Sequence, residues 1–184
     1  MAADIFLCLT GAATGNIKGE STTSGLEAWI EITSYDLSTT QAVEGSRSTS
    51  GAPTSGRADH EDVGFAKQMD AATPGLMAAC CAGDIIEKAD ILHYSMVQNK
   101  KTLFAAFHME SVVITEVSLS GSDGVPEETL KINYGSIVWW YKAIDHATGG
   151  AFTGTVGPGP FVNYWDVINN TSAKIGDIVS KLTI

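Results

Sequence analysis

The sequence predicts a mainly β protein: a small β-barrel of antiparallel strands with one short α-helix at about residues 73–83 and a long loop at 38–62. Three observations carry that prediction. Apolar and polar residues alternate with a period of two through several runs, the pattern of strands with one buried face. The runs 5–9 and 137–141 are apolar on both faces, and such strands need a cover on each side. One segment ahead of the tail carries helix punctuation at both ends, Thr73-Pro74 and Gly83.

The elements follow in order. In the opening strand Ile5, Leu7 and Leu9 share one face, and Phe6 and Cys8 share the other. Its outside must be covered by a helix, a loop or another subunit. Residues 15–21 read as a turn. A second strand reads from about 26 to 37, with Leu26, Ala28, Ile30 and Ile32 on one face and Glu27, Trp29, Glu31, Thr33 and Tyr35 on the other. In residues 38–58, 13 of the 21 residues are Ser, Thr, Gly or Pro. That stretch cannot build a core; it reads either as a surface loop or as an arm that orders on a partner.

Residues 62–70 read as a third strand, with Val63, Phe65 and Met69 in phase. The helix then opens with Thr73 as N-cap and Pro74 at its first position. Its apolar stripe is Leu76, Met77, Cys80 and Cys81, and Gly83 closes it. Residues 89–96 form a strand, 99–101 its turn, and 103–108 a strand that runs into 110–119. Gly121 to Gly124 is a turn signal. Residues 127–142 read as one long strand with Leu130, Ile132, Tyr134, Val138 and Trp140 on one face. A Gly-rich stretch at 147–163 precedes a tail, 163–184, that reads as a final strand or a short helix.

The charge pattern limits the function. In 184 residues there are 11 Lys plus Arg against 21 Asp plus Glu, a net charge of −10. Binding driven by nucleic-acid phosphates needs a basic footprint, and so does an anionic membrane surface. Both are therefore excluded as the main function. Charged residues are 17% of the chain, low against a typical ~25%, which leaves surface for a partner to cover. The length fits one domain, residues 1–184. The N-terminus has no positive n-region and no run approaches a membrane span. The expectation is a chain made in the cytoplasm without a cleaved leader, with no membrane insertion.

Chemistry is sparse. Cys8, Cys80 and Cys81 are odd in number and two are adjacent, so they read as small buried thiols rather than a disulfide framework or zinc site. No nucleophile elbow, phosphate loop or dinucleotide fingerprint is present. His60, His93, His108 and His146 are scattered. His108 and Glu110 point the same way on one strand and are the best acid/base pair available, yet such pairs recur by chance. The expectation is no enzyme, no cofactor and no metal. Trp29, Trp139, Trp140, Tyr141 and Trp165 lie on or beside strands. They read as interface anchors, as contacts under a covering loop, or as a sugar-binding platform.

The order of these pieces resembles the haemolysin-coregulated protein (Hcp) family, the tube subunit of the bacterial type VI secretion system. The resemblance rests on Asp4-Ile-Phe-Leu7, Ile17-Lys-Gly-Glu-Ser21, Trp29-Ile-Glu-Ile-Thr-Ser-Tyr-Asp36, the strand-to-helix segment from Val63 to Pro74, Glu127-Glu-Thr-Leu-Lys-Ile-Asn-Tyr134 and Tyr164-Trp-Asp166. It departs from the family in its long polar arm at 38–58, in Tyr164 where members commonly have Gly, and in the tail extension at 170–184. The resemblance implies a small barrel with one helix, a homohexameric ring, and rings stacked into a secreted tube that carries and protects small effector proteins in its lumen. Type VI sheath, spike and baseplate proteins are the implied partners, and exit through the secretion system suits a chain with no leader. The loop at 38–62 would reach an adjacent ring and order on stacking. Pattern rather than motif nominates the subunit and ring interface: Arg47, Arg57, Asp59 and His60 on the arm, with Trp29, Trp139, Tyr141 and Trp165 on the strands. The alternative is a non-catalytic β-barrel module that binds a ligand or carbohydrate.

Overall fold

The computed structural model describes residues 4–15, 17–44, 54–121, 123–145 and 159–172. In chain order the elements are β1 (Asp4–Thr10), β2 (Ile30–Ile32), β3 (Ser34–Asp36), β4 (Thr39–Glu44), β5 (Thr54–His60), β6 (Val63–Gln68), α1 (Thr73–Ala82), β7 (Ile85–Val97), β8 (Lys100–Ser120), β9 (Glu127–Asn133), β10 (Ser136–Tyr141) and β11 (Phe161–Asp166). The main sheet runs β2-β1-β7-β8-β9-β6-β3, with β10 beside β8 and β11 beside β10. Every pairing is antiparallel.

The two ends of that path, β2 and β3, are separated in the chain only by Thr33. They do not pair with each other, so the ladder itself stays open. The Thr33 amide instead donates to the Ala66 carbonyl of β6 at 2.8 Å. One bent strand thus grips β1 with its first half and β6 with its second. The expected barrel is realised as a sheet rolled around its core rather than as a closed ladder.

Leu7, Ile30, Phe65, Leu76, Ile86, Ile91, Met109, Leu130, Ile132 and Ile137 fill the inside and are fully buried. They belong to one continuous cluster that includes α1. A smaller cluster lies on the other face of the wall: Phe6, Leu26, Leu92 and Ala106, with Trp29, Tyr94, Leu103 and Trp140 packed against it. The outward face of β1 is therefore covered in part by the chain's own turn before β2.

That turn corrects the second strand. Residues 26–29 alternate but are not extended. Ala28 has φ 63°, its amide donates to the Ser21 carbonyl at 2.8 Å, and its carbonyl accepts from Gly19 at 2.9 Å. The strand begins only at Ile30. The long strand at 127–142 is likewise two strands, broken at Tyr134-Gly135. Opposite the break, Ser111 of β8 takes φ 56°. The Gly135 amide donates to the Glu110 carbonyl at 3.0 Å, and a Cβ on Gly135 would lie 3.1 Å from the Ser111 Cβ. β8 pairs with β10 before this kink and with β9 after it. The β7–β8 turn is Gln98-Asn99, both left-handed at φ 50° and 62°, as a two-residue hairpin requires.

Further corrections concern local structure. The loop at 38–62 contains an antiparallel hairpin, β4 with β5, in the register Thr39↔His60, Thr40↔Asp59 and Gln41↔Ala58, already formed within a single chain. The helix is capped by Ala72, not Thr73, which is its first helical residue. Its buried residues are Thr73, Leu76 and Ala79, while Met77 is 36% exposed. Cys80 is half-buried and Cys81 is exposed, so Cys81 is not a buried thiol. Met69 lies past the end of β6 and is 43% exposed; the inward position in phase with Val63 and Phe65 belongs to Lys67. The Gly83 cap stands as expected, left-handed at φ 65°, with Gly83 and Asp84 donating to the carbonyls of Cys80 and Ala79. Within the tail, the final strand is β11; residues 173–184 lie outside the described residues.

Candidate assembly surface

The eight nominated interface residues fall in three places. Arg47 lies outside the described residues. Arg57, Asp59 and His60 lie on β5. Trp29 precedes β2, and Trp139, Tyr141 and Trp165 lie on the paired strands β10 and β11.

The β5 residues meet the region where β9, β10 and β11 come together. Arg57 Nη2 donates to the carbonyl of Val167 and to that of Ile168 at 3.3 Å. His60 shares a hydrogen bond with the Tyr134 hydroxyl through Nδ1 at 3.0 Å. Its ring stands edge-on to Tyr134 at 5.8 Å and stacks on Trp139 at 6.4 Å. Burial and the nearby Arg57 guanidinium hold the His60 imidazole below the usual histidine range. Burial pushes the Tyr134 phenol up to about 12. Asp59 stays exposed. Below the hairpin, Asp62 accepts from Thr115 Oγ1 at 2.6 Å and Asn133 Nδ2 at 2.7 Å. Those bonds hold its carboxyl below the usual aspartate range.

The aromatic residues divide by burial. Trp139 and Trp165 pack against the inner core and Trp29 against the outer cluster. Tyr141 is 49% exposed, and its cross-strand partner Phe161 is 41% exposed. Their rings stack at 6.3 Å and 24°. Among the described residues the strand paired with β11 is β10, with one further bridge from Asp166 to Thr171.

Two buried polar clusters complete the picture. Lys67 lies among inward apolar residues, with its side chain fully buried. Its ammonium donates to Glu128 Oε2 at 3.1 Å, Asp70 Oδ1 at 2.9 Å, the Gln68 carbonyl at 2.9 Å and Thr73 Oγ1 at 3.4 Å. Thr73 in turn donates to Glu128. This network joins β6 and β9, whose register sets Lys67 opposite Glu128, to the first turn of α1. Reading the sequence missed it, although a lysine in phase with Val63 and Phe65 was its signal. The second cluster is the His108 pair. His108 is 3% exposed and holds Asp90 of β7 at 2.6 Å through Nδ1. Glu110 is 3.9 Å from Nε2 and accepts from Ser136 at 3.3 Å. The imidazole is thus a cross-strand tie between β7 and β8. Among the described residues no group of three or more His, Cys, Asp or Glu is placed to hold a metal ion, and no helix is long and apolar enough to cross a membrane.

Among the described residues, the fold and this surface define a class: a rolled antiparallel β protein with one helix, a polar hairpin fastened to the wall, and an exposed aromatic pair across β10 and β11. The family model described as "Type VI secretion system effector, Hcp" matches residues 6–141, and the chain belongs to that family. Among solved structures, one titled "Structure of a type six secretion system protein" superposes with TM-score 0.79 at 22% identity, covering 94% of this chain and 100% of that one. Hcp1 from Salmonella typhimurium gives TM-score 0.69 at 21% identity, covering 94% and 100%. The secreted protein Hcp3 from Pseudomonas aeruginosa gives 0.62 at 18%, covering 90% and 98%. At these identities the likeness establishes the fold. No relative is found among curated proteins.

Proposed function

We propose that the chain is a structural, non-enzymatic subunit of the type VI secretion tube. It is read as one domain that assembles into hexameric rings, which stack into a hollow tube and carry small effector proteins. Family membership over residues 6–141 is the observation that carries this reading. The Tyr141–Phe161 pair supports it, because an exposed aromatic pair is the kind of surface a neighbouring subunit covers. A head-to-tail ring closes by rotation and needs two different surfaces on each copy. In this reading Tyr141, together with Trp29, Trp139 and Trp165, belongs to the ring contact. Arg47 and the β5 residues Arg57, Asp59 and His60 belong to stacking. Sheath, spike and baseplate proteins are the proposed outer partners, and export through the system delivers the tube outside the cell.

Light scattering on the purified chain tests the ring directly. A stable mass near six subunits is expected, and a clean monomer at tens of micromolar overturns the reading. Six copies of a −10 chain carry −60, so stacking should weaken as salt is lowered and screening is lost. Stacking indifferent to ionic strength removes that electrostatic step.

A further inference from the structure

We infer that His60 and Arg57 form an acid-released latch that holds the β4–β5 hairpin against the barrel. Among the described residues of β4 and β5, the side-chain bonds and ring contacts that tie the hairpin to the wall come from these two. Arg57 grips the carbonyls of Val167 and Ile168 just after β11, and the backbone N–H groups of those two residues donate hydrogen bonds to the Gly135 carbonyl. His60 sits between Tyr134 and Trp139, bonded to the Tyr134 hydroxyl. Both grips converge on the Tyr134-Gly135 break between β9 and β10.

The charges around His60 decide what protonation does. Opposite it on β4 is the neutral Thr39. From the β9–β10 region it meets Tyr134, whose phenol stays protonated up to about 12, and the neutral Trp139. Its own strand supplies Arg57, a fixed positive charge, and Asp59, which is exposed. Glu61, next along the chain, is exposed too. Asp62 is turned to Thr115 and Asn133. A proton on His60 would therefore enter a half-buried aromatic slot beside a guanidinium.

Burial and Arg57 both lower the affinity of the docked imidazole for that proton. The free hairpin binds it at the ordinary histidine value of 6.5. Docking is then at full strength above that value and weakens as pH falls below it. Its bearing on ring stacking rests on the tube reading, but the latch itself is a property of one chain.

The test is amide hydrogen exchange on dilute, unstacked protein at pH 7.5 and 5.5, corrected for the chemical exchange rate. Peptides spanning 39–44 and 54–60 should lose protection severalfold at the lower pH, while β7–β8 peptides keep theirs. His60→Gln should flatten that dependence. Arg57→Gln should loosen the hairpin at both values. A histidine-ring NMR titration of the wild type, which needs no variant to fold, should place His60 below 6.5. Unchanged hairpin protection, the same pH dependence in His60→Gln, or a ring titrating at or above the free value each overturns the latch. Ring mass, measured separately, judges the tube reading.

Discussion

The barrel wall and the hairpin of one chain are held by opposite means. The wall and α1 supply all of the largest fully buried side chains, and all but Lys67 are apolar or aromatic. None of the hairpin's described side chains is fully buried. It is fastened by its backbone ladder, by Arg57 on two carbonyls and by one histidine in an aromatic slot. Apolar burial is lost only when the rolled sheet opens as a unit. A polar fastening contributes on the order of 1 kcal/mol and is lost locally. One sequence thus builds a wall held by apolar packing and an arm held by a few polar contacts.

The largest effect should come from the ion pair the wall buries, Lys67 with Glu128. Lys67→Ala leaves Glu128 buried without its cation, and such a loss costs about 3–5 kcal/mol. Urea unfolding should show the midpoint falling with little change in slope. A change under about 1 kcal/mol would mean that Glu128 takes up a proton instead and that the network is no tie between α1 and the sheet. A purely apolar trim should cost less. Ile132→Val removes one methyl group from a fully buried position and should cost about 0.5–1.5 kcal/mol. Hairpin exchange should stay unmoved in that variant, because the two regions are fastened independently.

How much of this was readable follows the same division. β1 declared itself because Ile5, Leu7 and Leu9 face one cluster and Phe6 the other, so both faces left apolar marks. The helix was legible through Pro74 and Gly83. The hairpin was not, because β4 and β5 bury little and their composition therefore looks like a loop. Residues 26–29 misled in the other direction. A turn with Leu26 turned to the outer cluster reproduces strand alternation without being extended. The break at Gly135 and the Lys67–Glu128 pair depend on cross-strand register, which a single strand's pattern does not contain. Of the nominated surface, Tyr141 is exposed at the end of β10, while Trp139 and Trp165 serve the core; alternation puts Tyr141 on the face of Trp139 and does not show where along the strand burial stops.

Where wall and hairpin meet, the effect should depend on pH. Asp62 stands at the foot of β5 and is held low by the Thr115 hydroxyl and the Asn133 amide. Its contribution is fully present above the ordinary value of 3.8 and is lost as pH falls through the lowered folded value. Asp62→Asn should therefore lower stability near neutral pH, where the ionised carboxylate contributes, and flatten part of the acid limb, so that the two proteins converge at low pH. An identical acid limb in wild type and variant would place the acid-sensitive groups elsewhere.

The smallest change in stability should come from Tyr141→Ser. The ring is 49% exposed and stacks on Phe161, with the small Ala105 as its other cross-strand neighbour, so the cost falls at the low end of about 0.2–1 kcal/mol. That small cost is what makes the variant informative. If the β11 edge is where a second copy packs, removing an exposed aromatic anchor weakens the ring far more than the fold. Light scattering should then show the mass falling toward the single chain, while thermal unfolding of the dissociated protein hardly moves. Rings that persist unchanged would remove Tyr141 from the contact. A loss of 2 kcal/mol or more in the isolated chain would assign the residue to the wall instead.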